Sequence, residues 1–543
     1  MDFDYVIVGG GSAGSVLARR LTEDPDISVC LLEAGGGGNS LLIRMMLAGI
    51  INIQSDFLGR KVRINNWGFE TVPQPGLNGR RGYQPRGKAL GGSSAINASL
   101  YIRGQREDYD EWANLGNDGW DWDSVLPYFK KSENNVRGSD DFHGDLGPLQ
   151  VNDQQAPNPI TDAFLDAASQ LQHRRIDDFN TGDQEGVGKY QVTQFHHAEK
   201  NGERCSAAAG YLFPVMNRPN LTVITRAEVK RLLLEGKRVA GVLYRHKGEN
   251  KEVKAKREVL VCAGALKSPQ VLQLSGIGNG ADLAAQGIDV VHDLPGVGQN
   301  LQDHLDFSLI YKTHSKETMA ITPRGVFDST KSILRWFKDG KSSAASPVAE
   351  GAAFLKTSPT LDRPDIQLHF MMTIVDDHVR KLPWSHGYSC HVCKLRPESR
   401  GSVFLQSSNP QDAPGIDPAF LKDPRDLETM IAGVRMTRDI MMNAPLVDYM
   451  SAEAYGTNLA VTDADWEKHI RDRADTIYHP VGTCKMGVDD MAVVDAELKV
   501  KGMEGLRVVD ASVMPNLISG NTNAPTMMIA EKAADMIKAA QVH

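Results

Sequence analysis

The first 35 residues alternate short apolar runs with glycine-rich or polar turns. The apolar run Phe3–Val8 predicts a buried strand, and a second run that ends at Glu33 predicts another. Between them, apolar residues recur at helical spacing and stop before Asp24, which predicts a helix with one buried face. The apolar helix positions are Val16, Leu17 and Leu21. The chain is therefore predicted to begin with a strand–helix–strand unit.

Later apolar runs predict the strands that complete the sheet begun by this unit. Turns at Gly236 and Gly248 separate several of them, and a final helix is expected from Pro525 to about Ala540. The expected strands are Leu221–Thr225, Val229–Leu234, Val239–Tyr244, Val259–Cys262, Ile366–Met372, Gly387–Leu395 and Leu506–Val509. Because the N-terminal unit alone is too small for a sheet, we expect later strands to return to it.

A glycine turn joins the first strand to the first helix. Gly9, Gly11 and Gly14 have the spacing of a dinucleotide fingerprint, and Glu33 follows after roughly 20 residues. Bare backbone lets a pyrophosphate approach the helix N-terminus, and the acid can accept a hydrogen bond from a ribose hydroxyl. We therefore predict a dinucleotide site, and the fingerprint alone does not separate FAD from NAD.

Composition excludes several classes of function. The 543 residues carry a formal net charge of −8 and no basic run, which argues against a nucleic-acid partner. No apolar stretch reaches the roughly 18 residues of a membrane-spanning helix. The first strand begins almost at Met1, so we expect no secretory leader. The six scattered cysteines are typical of free thiols in a reducing compartment, which predicts a cytoplasmic location.

Cys390 and Cys393 are the one closely spaced pair of cysteines, with two residues between them. The same spacing also occurs in redox and zinc sites. The surrounding residues predict a strand, in which side chains three positions apart point to opposite faces. No second cysteine pair completes a zinc site. We therefore interpret both as small buried side chains and predict no metal site.

Several further blocks, in order along the chain, resemble the signatures of the glucose–methanol–choline (GMC) flavin oxidoreductases. The blocks are Gly87–Asn97, Gly264–Gly278, His479–Cys484, Val508–Ser512 and Gly520–Thr526. Within that family, the runs Tyr478–Gly487 and Pro295–His304 are most similar to bacterial dehydrogenases of alkanols, polyethylene glycol and choline. The resemblance implies FAD bound in the N-terminal fold and oxidation of an alcohol.

With this resemblance, the predicted fold class is α/β (α+β). A Rossmann-like FAD-binding domain is interleaved with a substrate domain built on an antiparallel sheet flanked by helices. The discontinuous FAD-binding domain is expected to take residues 1–155, 196–310 and 476–543. The substrate-binding domain is expected to take residues 156–195 and 311–475.

The resemblance also implies which residues contact FAD. The glycine-rich segment at Gly91 would pass along the flavin ring, where side chains would prevent a close approach. Some relatives join a histidine of this segment covalently to FAD, but the matching position here is Ile96, so we expect non-covalent FAD. The final helix would aim its N-terminus at the pyrimidine edge of the flavin. The expected contacts are Gly9, Gly11, Ser12, Ala13, Gly14, Glu33, Ala34, Trp67, Gly87, Leu90, Gly91, Gly92, Ser93, Asn97, Ala98, Val229, Ala263, Gly264, Tyr478, Asp510, Ala511, Asn521, Thr522, Pro525 and Thr526.

His479 is the expected catalytic base. An alkoxide expels hydride more readily than an alcohol, and an imidazole titrates near neutral pH, so a histidine suits removal of the hydroxyl proton. The resemblance implies that Asn523 is its partner, because an amide can hold the substrate oxygen but cannot take the proton. The alternative for Asn523 is a turn-forming residue.

Residues 326–338 have an amphipathic helical pattern. One face carries Val326, Phe327, Thr330, Ile333, Leu334 and Phe337, and the other carries Lys331, Arg335 and Lys338. We favour a helix packed on the substrate domain. The other interpretation is a helix that lies on the inner face of a membrane, near a quinone pool, with its basic side chains at the lipid boundary.

The sequence therefore predicts an FAD-dependent dehydrogenase that oxidises a primary alcohol to an aldehyde and passes electrons to a quinone-type acceptor. An oxidase of the same fold that releases hydrogen peroxide stays open. A hydroxynitrile lyase-like enzyme and a noncatalytic flavoprotein are the alternatives from other classes. No oligomeric state is predicted.

Overall fold

The computed structural model describes residues 2–53, 56–57, 60–61, 63–377, 380–381 and 384–540. Within these residues, two sheets of seven strands each form the framework. The short paired strands around them are Asp56–Phe57, Arg60–Lys61, Phe69–Glu70, Tyr83–Gln84, Leu100–Tyr101, Glu133–Asn135, Leu149–Val151, Gln191–Val192, Ile277–Gly278, His292–Asp293, Gln299–Leu301, Gly401–Phe404 and Gly415–Asp417.

The first sheet has a parallel centre and an antiparallel wing. Its parallel strands are, in spatial order, Leu221–Thr225, Val29–Glu33, Asp2–Val8 and Glu249–Val261, with Leu506–Val508 paired to the end of the last. Its antiparallel strands are Arg238–His246 and Ala227–Glu235. The expectation that later strands return to the N-terminal unit is confirmed.

The second sheet is antiparallel throughout. Its strands are, in spatial order, Gly186–Lys189, Ala349–Leu355, Ile366–Met371, Gly387–Lys394, Leu305–Thr313 and Met450–Glu453, with Asp475–Thr476 also paired to Leu305–Thr313. The α/β (α+β) fold class is confirmed. The strand Leu305–Thr313 crosses the predicted domain border at residue 310, and the domain boundaries themselves stay a prediction.

Twelve α-helices accompany these sheets in the described part of the chain. They are α1 (Ser12–Leu21), α2 (Leu41–Arg44), α3 (Met46–Ile53), α4 (Arg106–Asn114), α5 (Trp122–Ser132), α6 (Pro159–Gln170), α7 (Ser268–Gln273), α8 (Gly280–Ala285), α9 (Pro323–Asp339), α10 (Pro424–Met441), α11 (Asp463–Arg473) and α12 (Asn523–Ala539). None of the helices described is long and apolar enough to cross a bilayer.

Helices α1 and α12 pack together against the first sheet. A Cβ atom at Gly14 would lie 2.0 Å from the carbonyl oxygen of Gly9, so only glycine lets α1 come this close to the turn before it. Arg20 of α1 forms an ion pair of 2.7 Å with the fully buried Glu531 of α12, and the Tyr211 hydroxyl also donates to Glu531 at 2.8 Å. These contacts fix the two helices side by side.

The cysteine pair lies inside the second sheet. Cys390 and Cys393 are buried in the strand Gly387–Lys394, and both thiols are free. Within the residues that the structure describes, no three His, Cys, Asp or Glu side chains are grouped as metal ligands.

Helix α9 packs on the protein through Ser332, Trp336 and the partly buried Ile333, while most of its apolar face is exposed. The interpretation of a helix packed on the substrate domain stays a prediction. Ser332 and Trp336 are buried, and the Trp336 indole donates to the Gly202 carbonyl at 3.0 Å. The exposed apolar side chains are Val326, Phe327, Leu334 and Phe337. Sequence periodicity shows which residues share a face, but it does not show which face the rest of the molecule covers.

Candidate active site

A cavity of about 310 Å³ lies at the carboxyl ends of the parallel strands. Gly9, Glu33 and Cys262, which follow or end three neighbouring strands, all line it. His369 and Met371 of the antiparallel sheet close its other side. The cavity therefore lies between the two sheets.

Most of the residues expected to contact FAD line this cavity, and their contact with FAD stays a prediction. Four of them do not line it: Gly14, Leu90, Gly91 and Pro525. The first three pack behind the wall. Gly14 abuts Gly9, the Leu90 side chain packs over Gly10, and the Gly91 amide donates to the Gly10 carbonyl at 2.7 Å.

Two helix N-termini meet at the cavity without a side-chain cap. The first turns of α1 and α12 both line the wall, and neither has a side chain that accepts from its free amides. Six other helices do have such a cap: α5, α6, α8, α9, α10 and α11. Uncapped amides and the positive end of the helix dipole are suited to an anionic ligand. The site thus fits a cofactor with a pyrophosphate and an electron-accepting ring.

The backbone is bare where this cofactor would lie. A Cβ atom at Gly92 would meet the Cα of Gly11 at 2.7 Å, so the two glycine segments are in direct backbone contact. Glu33 accepts from the amides of Gly10 (2.9 Å) and Gly35 (2.6 Å), and burial raises its pKa to about 7. Each carboxylate oxygen keeps a lone pair for a further donor such as a ribose hydroxyl.

Asp510 has a structural role at the same wall. Its carboxylate accepts from the amides of Gly264 and Ser512, both at 2.8 Å, and from the Ser268 hydroxyl at 2.5 Å. It therefore ties the strand end at Gly264 to the turn at Ala511, and both of these residues line the cavity.

His479 lies on the cavity wall with both ring nitrogens engaged. Its Nδ1 is 3.0 Å from Nδ1 of His304, and its Nε2 is 3.2 Å from Nδ2 of Asn521. Its backbone amide donates to Asp303 at 2.8 Å. These contacts hold both the ring and the backbone at this position.

The protonation state of the His479 ring follows from its neighbours. His304 Nε2 lies 2.9 Å from the Leu395 carbonyl, which can only accept, so the proton of His304 is on Nε2. Burial lowers the pKa of His304 to about 4, so its Nδ1 is an acceptor at neutral pH. It then receives the Nδ1 proton of His479. The Nε2 atom of His479 is left unprotonated at the cavity wall, where its lone pair accepts from the Asn521 amide.

Burial, with the nearby His304, His369 and Arg86, lowers the pKa of His479 well below its usual 6.5. Arg86 lies on the cavity wall and donates to the carbonyls of Pro85 and Tyr478. Burial lowers the pKa of Arg86 only to about 10, so it stays cationic. The His479 ring is therefore neutral over the whole neutral range.

The amide beside the imidazole is Asn521, not Asn523. Asn521 takes its donor orientation from Gln367, whose Nε2 donates to the Asn521 oxygen at 3.2 Å. Asn523 begins α12, and its oxygen accepts from the Ser12 hydroxyl at 2.8 Å. The expected pair of His479 and Asn523 is thus not formed, because Asn523 joins the N-termini of α12 and α1.

The three side chains that lower the pKa of His479 together with burial were not predicted from the sequence: Arg86, His304 and His369. His369 Nδ1 lies 2.7 Å from the Tyr190 hydroxyl, while its Nε2 is buried without a partner among the described residues. Burial lowers the pKa of His369 to about 3. A histidine within the apolar strand Ile366–Met371 was the signal that could have identified it.

Comparison with family models and individual proteins identifies the family of this chain. The GMC oxidoreductase models match residues 3–306 and 397–530. The chain is 45% identical over 542 residues to an alcohol dehydrogenase [acceptor] of Pseudomonas putida, covering 98% of this chain and 95% of that protein. It is 43% identical over 545 residues to an oxygen-dependent choline dehydrogenase of Pseudomonas fluorescens (strain SBW25), covering 99% and 94%.

Solved structures show the same fold over the full length. Pyridoxine 4-oxidase from Mesorbium loti matches with a TM-score of 0.87 and 33% identity, covering 100% of this chain and 99% of that one. An Aspergillus oryzae formate oxidase, from work on its FAD modification, matches with a TM-score of 0.89 and 26% identity, covering 99% and 98%. The chain therefore belongs to the GMC oxidoreductase family and is an FAD-dependent oxidoreductase.

Proposed function

We propose that the protein oxidises a primary alcohol to an aldehyde with non-covalently bound FAD and passes the electrons to a quinone-type acceptor. The observation that carries this proposal is the unprotonated Nε2 of His479, which among the described residues accepts only from the Asn521 amide. It lies on a cavity wall shared with the glycine turn and two uncapped helix N-termini. The proposed base and the proposed cofactor-binding residues thus line the same cavity.

His479 is proposed as the general base. Its Nε2 takes the hydroxyl proton of the alcohol, while FAD, when bound, supplies the hydride acceptor for the carbon-bound hydrogen. Removing that proton as the hydride leaves contributes about 10²–10⁴-fold to the rate. The ring then carries protons on both nitrogens, and its Nδ1 proton stays hydrogen-bonded to His304.

His304 is proposed as a positioning residue. Its Nε2–H is held by the Leu395 carbonyl, so its Nδ1 stays an acceptor and keeps the His479 proton away from the cavity side. Two successive hydrogen bonds, from His304 to the Leu395 carbonyl and from His479 to His304, therefore set which nitrogen of His479 faces the alcohol.

Asn521 is proposed to orient the substrate oxygen. The Asn521 amide lies within hydrogen-bonding distance of His479 Nε2, so an oxygen bound there lies near both groups. The His369 ring lines the same wall, but its Nε2 is buried, so Asn521 provides the hydrogen bond to this oxygen. The fixed charge of Arg86 favours the negative charge that develops on this oxygen.

The choice of a neutral alcohol over choline rests on charge. The carboxylates found on the described cavity wall are Glu33, Glu228 and Asp510. All three lie at strand ends of the nucleotide-binding sheet, and none is in contact with His479. Asp303 accepts from the His479 amide but does not line the cavity, so a quaternary ammonium group meets no carboxylate on the described wall beside the base. The name of the Pseudomonas putida relative, alcohol dehydrogenase [acceptor], supports a non-oxygen acceptor.

The wall residues support the proposed non-covalent binding of FAD. Ile96 occupies the position at which some relatives attach FAD. Cys262 is the thiol on this wall, and burial raises its pKa well above the usual range, so it stays protonated and unreactive.

An anaerobic alcohol titration tests this function. We expect a panel of primary alcohols to bleach the flavin absorbance of the purified holoenzyme, and choline to bleach it poorly. In air, a quinone or dye acceptor should support turnover with little hydrogen peroxide. His479→Ala should keep FAD and lose about 10²–10⁴-fold in the rate of bleaching. A flavin that no alcohol bleaches would exclude the proposal, and stoichiometric peroxide would assign an oxidase instead.

A further inference from the structure

Four large apolar side chains project from one helix into solvent. Val326, Phe327, Leu334 and Phe337 of α9 are 53%, 66%, 67% and 59% exposed. Single exposed apolar residues are ordinary on protein surfaces, but a contiguous set marks a site of interaction. These four residues form the apolar face of α9.

Cationic side chains lie beside this face on the same solvent-exposed half of the helix. Arg324 and Arg335 are paired with Asp328 and Asp339 at 2.9 and 3.7 Å. The exposed lysines of the segment form no ion pair within the described residues: Lys331, Lys338 and Lys341. This local positive charge contrasts with the net charge of −8 of the whole chain.

We propose that the apolar face of α9 docks on an anionic lipid bilayer. Apolar side chains next to lysines on an exposed helix match the acyl boundary and the negative headgroups of such a surface. The buried side of the helix, through Trp336 and Ser332, fixes it to the protein, so the apolar face stays turned outward.

A second copy of the chain fits this face less well than lipid does. A two-fold dimer would place the same patch on both partners, so the unpaired lysines of the two copies would meet. Like charges brought together at an interface oppose association. An anionic bilayer instead provides the complementary charge.

The docking surface lies close to the wall of the catalytic cavity. Trp336 contacts the Gly202 carbonyl, and two residues later Arg204 donates to the carbonyl of Asn97 and to the Ser99 hydroxyl. Asn97 and Ser99 line the cavity. A membrane-bound molecule would therefore place this side of the cavity toward the bilayer, where apolar alcohols and quinones dissolve. The docking itself does not depend on the proposed reaction.

Co-sedimentation of the holoenzyme with vesicles tests the proposal. We expect binding to vesicles of phosphatidylcholine with phosphatidylglycerol, and weaker binding to pure phosphatidylcholine or at high salt. The double variant F327S/F337S should lower the partition coefficient about 100-fold. K331Q/K338Q should lower it about 30-fold on anionic vesicles and leave it unchanged on neutral ones.

A matched control is the double variant L459S/V461S, since these side chains are 76% and 73% exposed elsewhere on the surface. It should bind vesicles as the wild type does, and all variants should keep the dye-linked kcat. Three results would each overturn the proposal. They are absence of vesicle binding at low salt, an equal loss in L459S/V461S, and a solution dimer that F327S/F337S abolishes in place of vesicle binding.

Discussion

At the scale of single residues, the protonation state of His479 sets the pH dependence of the reaction. Its pKa is lowered below 6.5 by burial and by its neighbours, so the ring is already a base at neutral pH. We therefore expect kcat/KM for alcohol oxidation to be flat through the neutral range and to fall only on the acid side, with a midpoint below pH 6.5. A profile measured with a dye acceptor checks this. An acid limb centred at or above 6.5 would contradict it.

The link between His304 and His479 predicts a graded response to substitution. His304→Ala removes the acceptor for the Nδ1 proton of His479, which frees the ring to turn or to change tautomer. We expect kcat/KM to fall about 10–100-fold, less than the roughly 10²–10⁴-fold that the base itself contributes, because His479 stays in place. His304→Gln offers an amide oxygen at the same place and should restore part of the rate. Equal losses in both variants, with an unchanged pH profile, would point to a purely structural role.

Substitutions of Asn521 and Asn523 are expected to have different effects on catalysis and on FAD binding. Asn521→Ala removes the amide beside His479 Nε2, so we expect kcat/KM to fall while FAD stays bound. Asn523→Ala removes the link to Ser12 between the two helix N-termini, so we expect weaker FAD binding and a smaller effect on kcat at saturating FAD. FAD titration and steady-state rates together distinguish the two. The reverse pattern would restore the assignment made from the sequence.

Asn521 and Asn523 also show how much of the site the sequence can predict at the scale of single residues. The motif correctly placed both asparagines at the cavity. Only Thr522 separates the two residues at the start of α12, and spacing alone does not decide which side chain points at the imidazole. His304 and His369 were missed because their roles depend on contacts between strands far apart in the chain.

At the scale of elements, sequence periodicity predicted the positions of strands well, but it did not predict which face of α9 the rest of the protein covers. The strands Leu221–Thr225 and Ile366–Met371 agree with prediction to within a residue. A buried strand needs only a short apolar run between turns, and both signals are local. The orientation of α9 depends on what lies against it, and that contact with Gly202 is distant in sequence.

The backbone contact between the segments at Gly11 and Gly92 predicts that a side chain at Gly92 would weaken FAD binding. In Gly92→Ala, the new Cβ would lie 2.7 Å from the Cα of Gly11, at a residue whose φ is +53°. The turn before α1 and the segment at Gly92 would have to separate, and both line the cofactor cavity. We expect FAD affinity to fall at least about tenfold, as a loss of 1.4 kcal/mol would produce. Flavin retained on the purified protein measures it, and Gly236→Ala, in an open surface turn, is the matched control.

At the scale of the whole molecule, the cavity links the two sheets into one functional unit. One wall comes from the parallel sheet through Gly9 and Cys262, and the other from the antiparallel sheet through His369 and Met371. Local patterns predicted most strands of the first sheet but only two strands of the second, Ile366–Met371 and Gly387–Lys394; the antiparallel sheet itself was implied by the family resemblance. The facing of their side chains across the cavity was available only through the family resemblance.

Because the cavity joins the two sheets, removal of FAD is expected to lower the stability of the whole protein. The uncapped amides of α1 and α12 would lose an anionic partner, and a ligand that binds only the folded state stabilises it. At free FAD about a hundredfold above Kd, the gain is about 2.7 kcal/mol. Thermal unfolding of the deflavinated protein, followed by circular dichroism, should show a lower Tm that rises again with added FAD. Riboflavin, which lacks the pyrophosphate, should restore much less of it. A Tm that is unchanged by deflavination would mean that the cavity is formed independently of its cofactor, and that the two helix N-termini are satisfied by solvent alone.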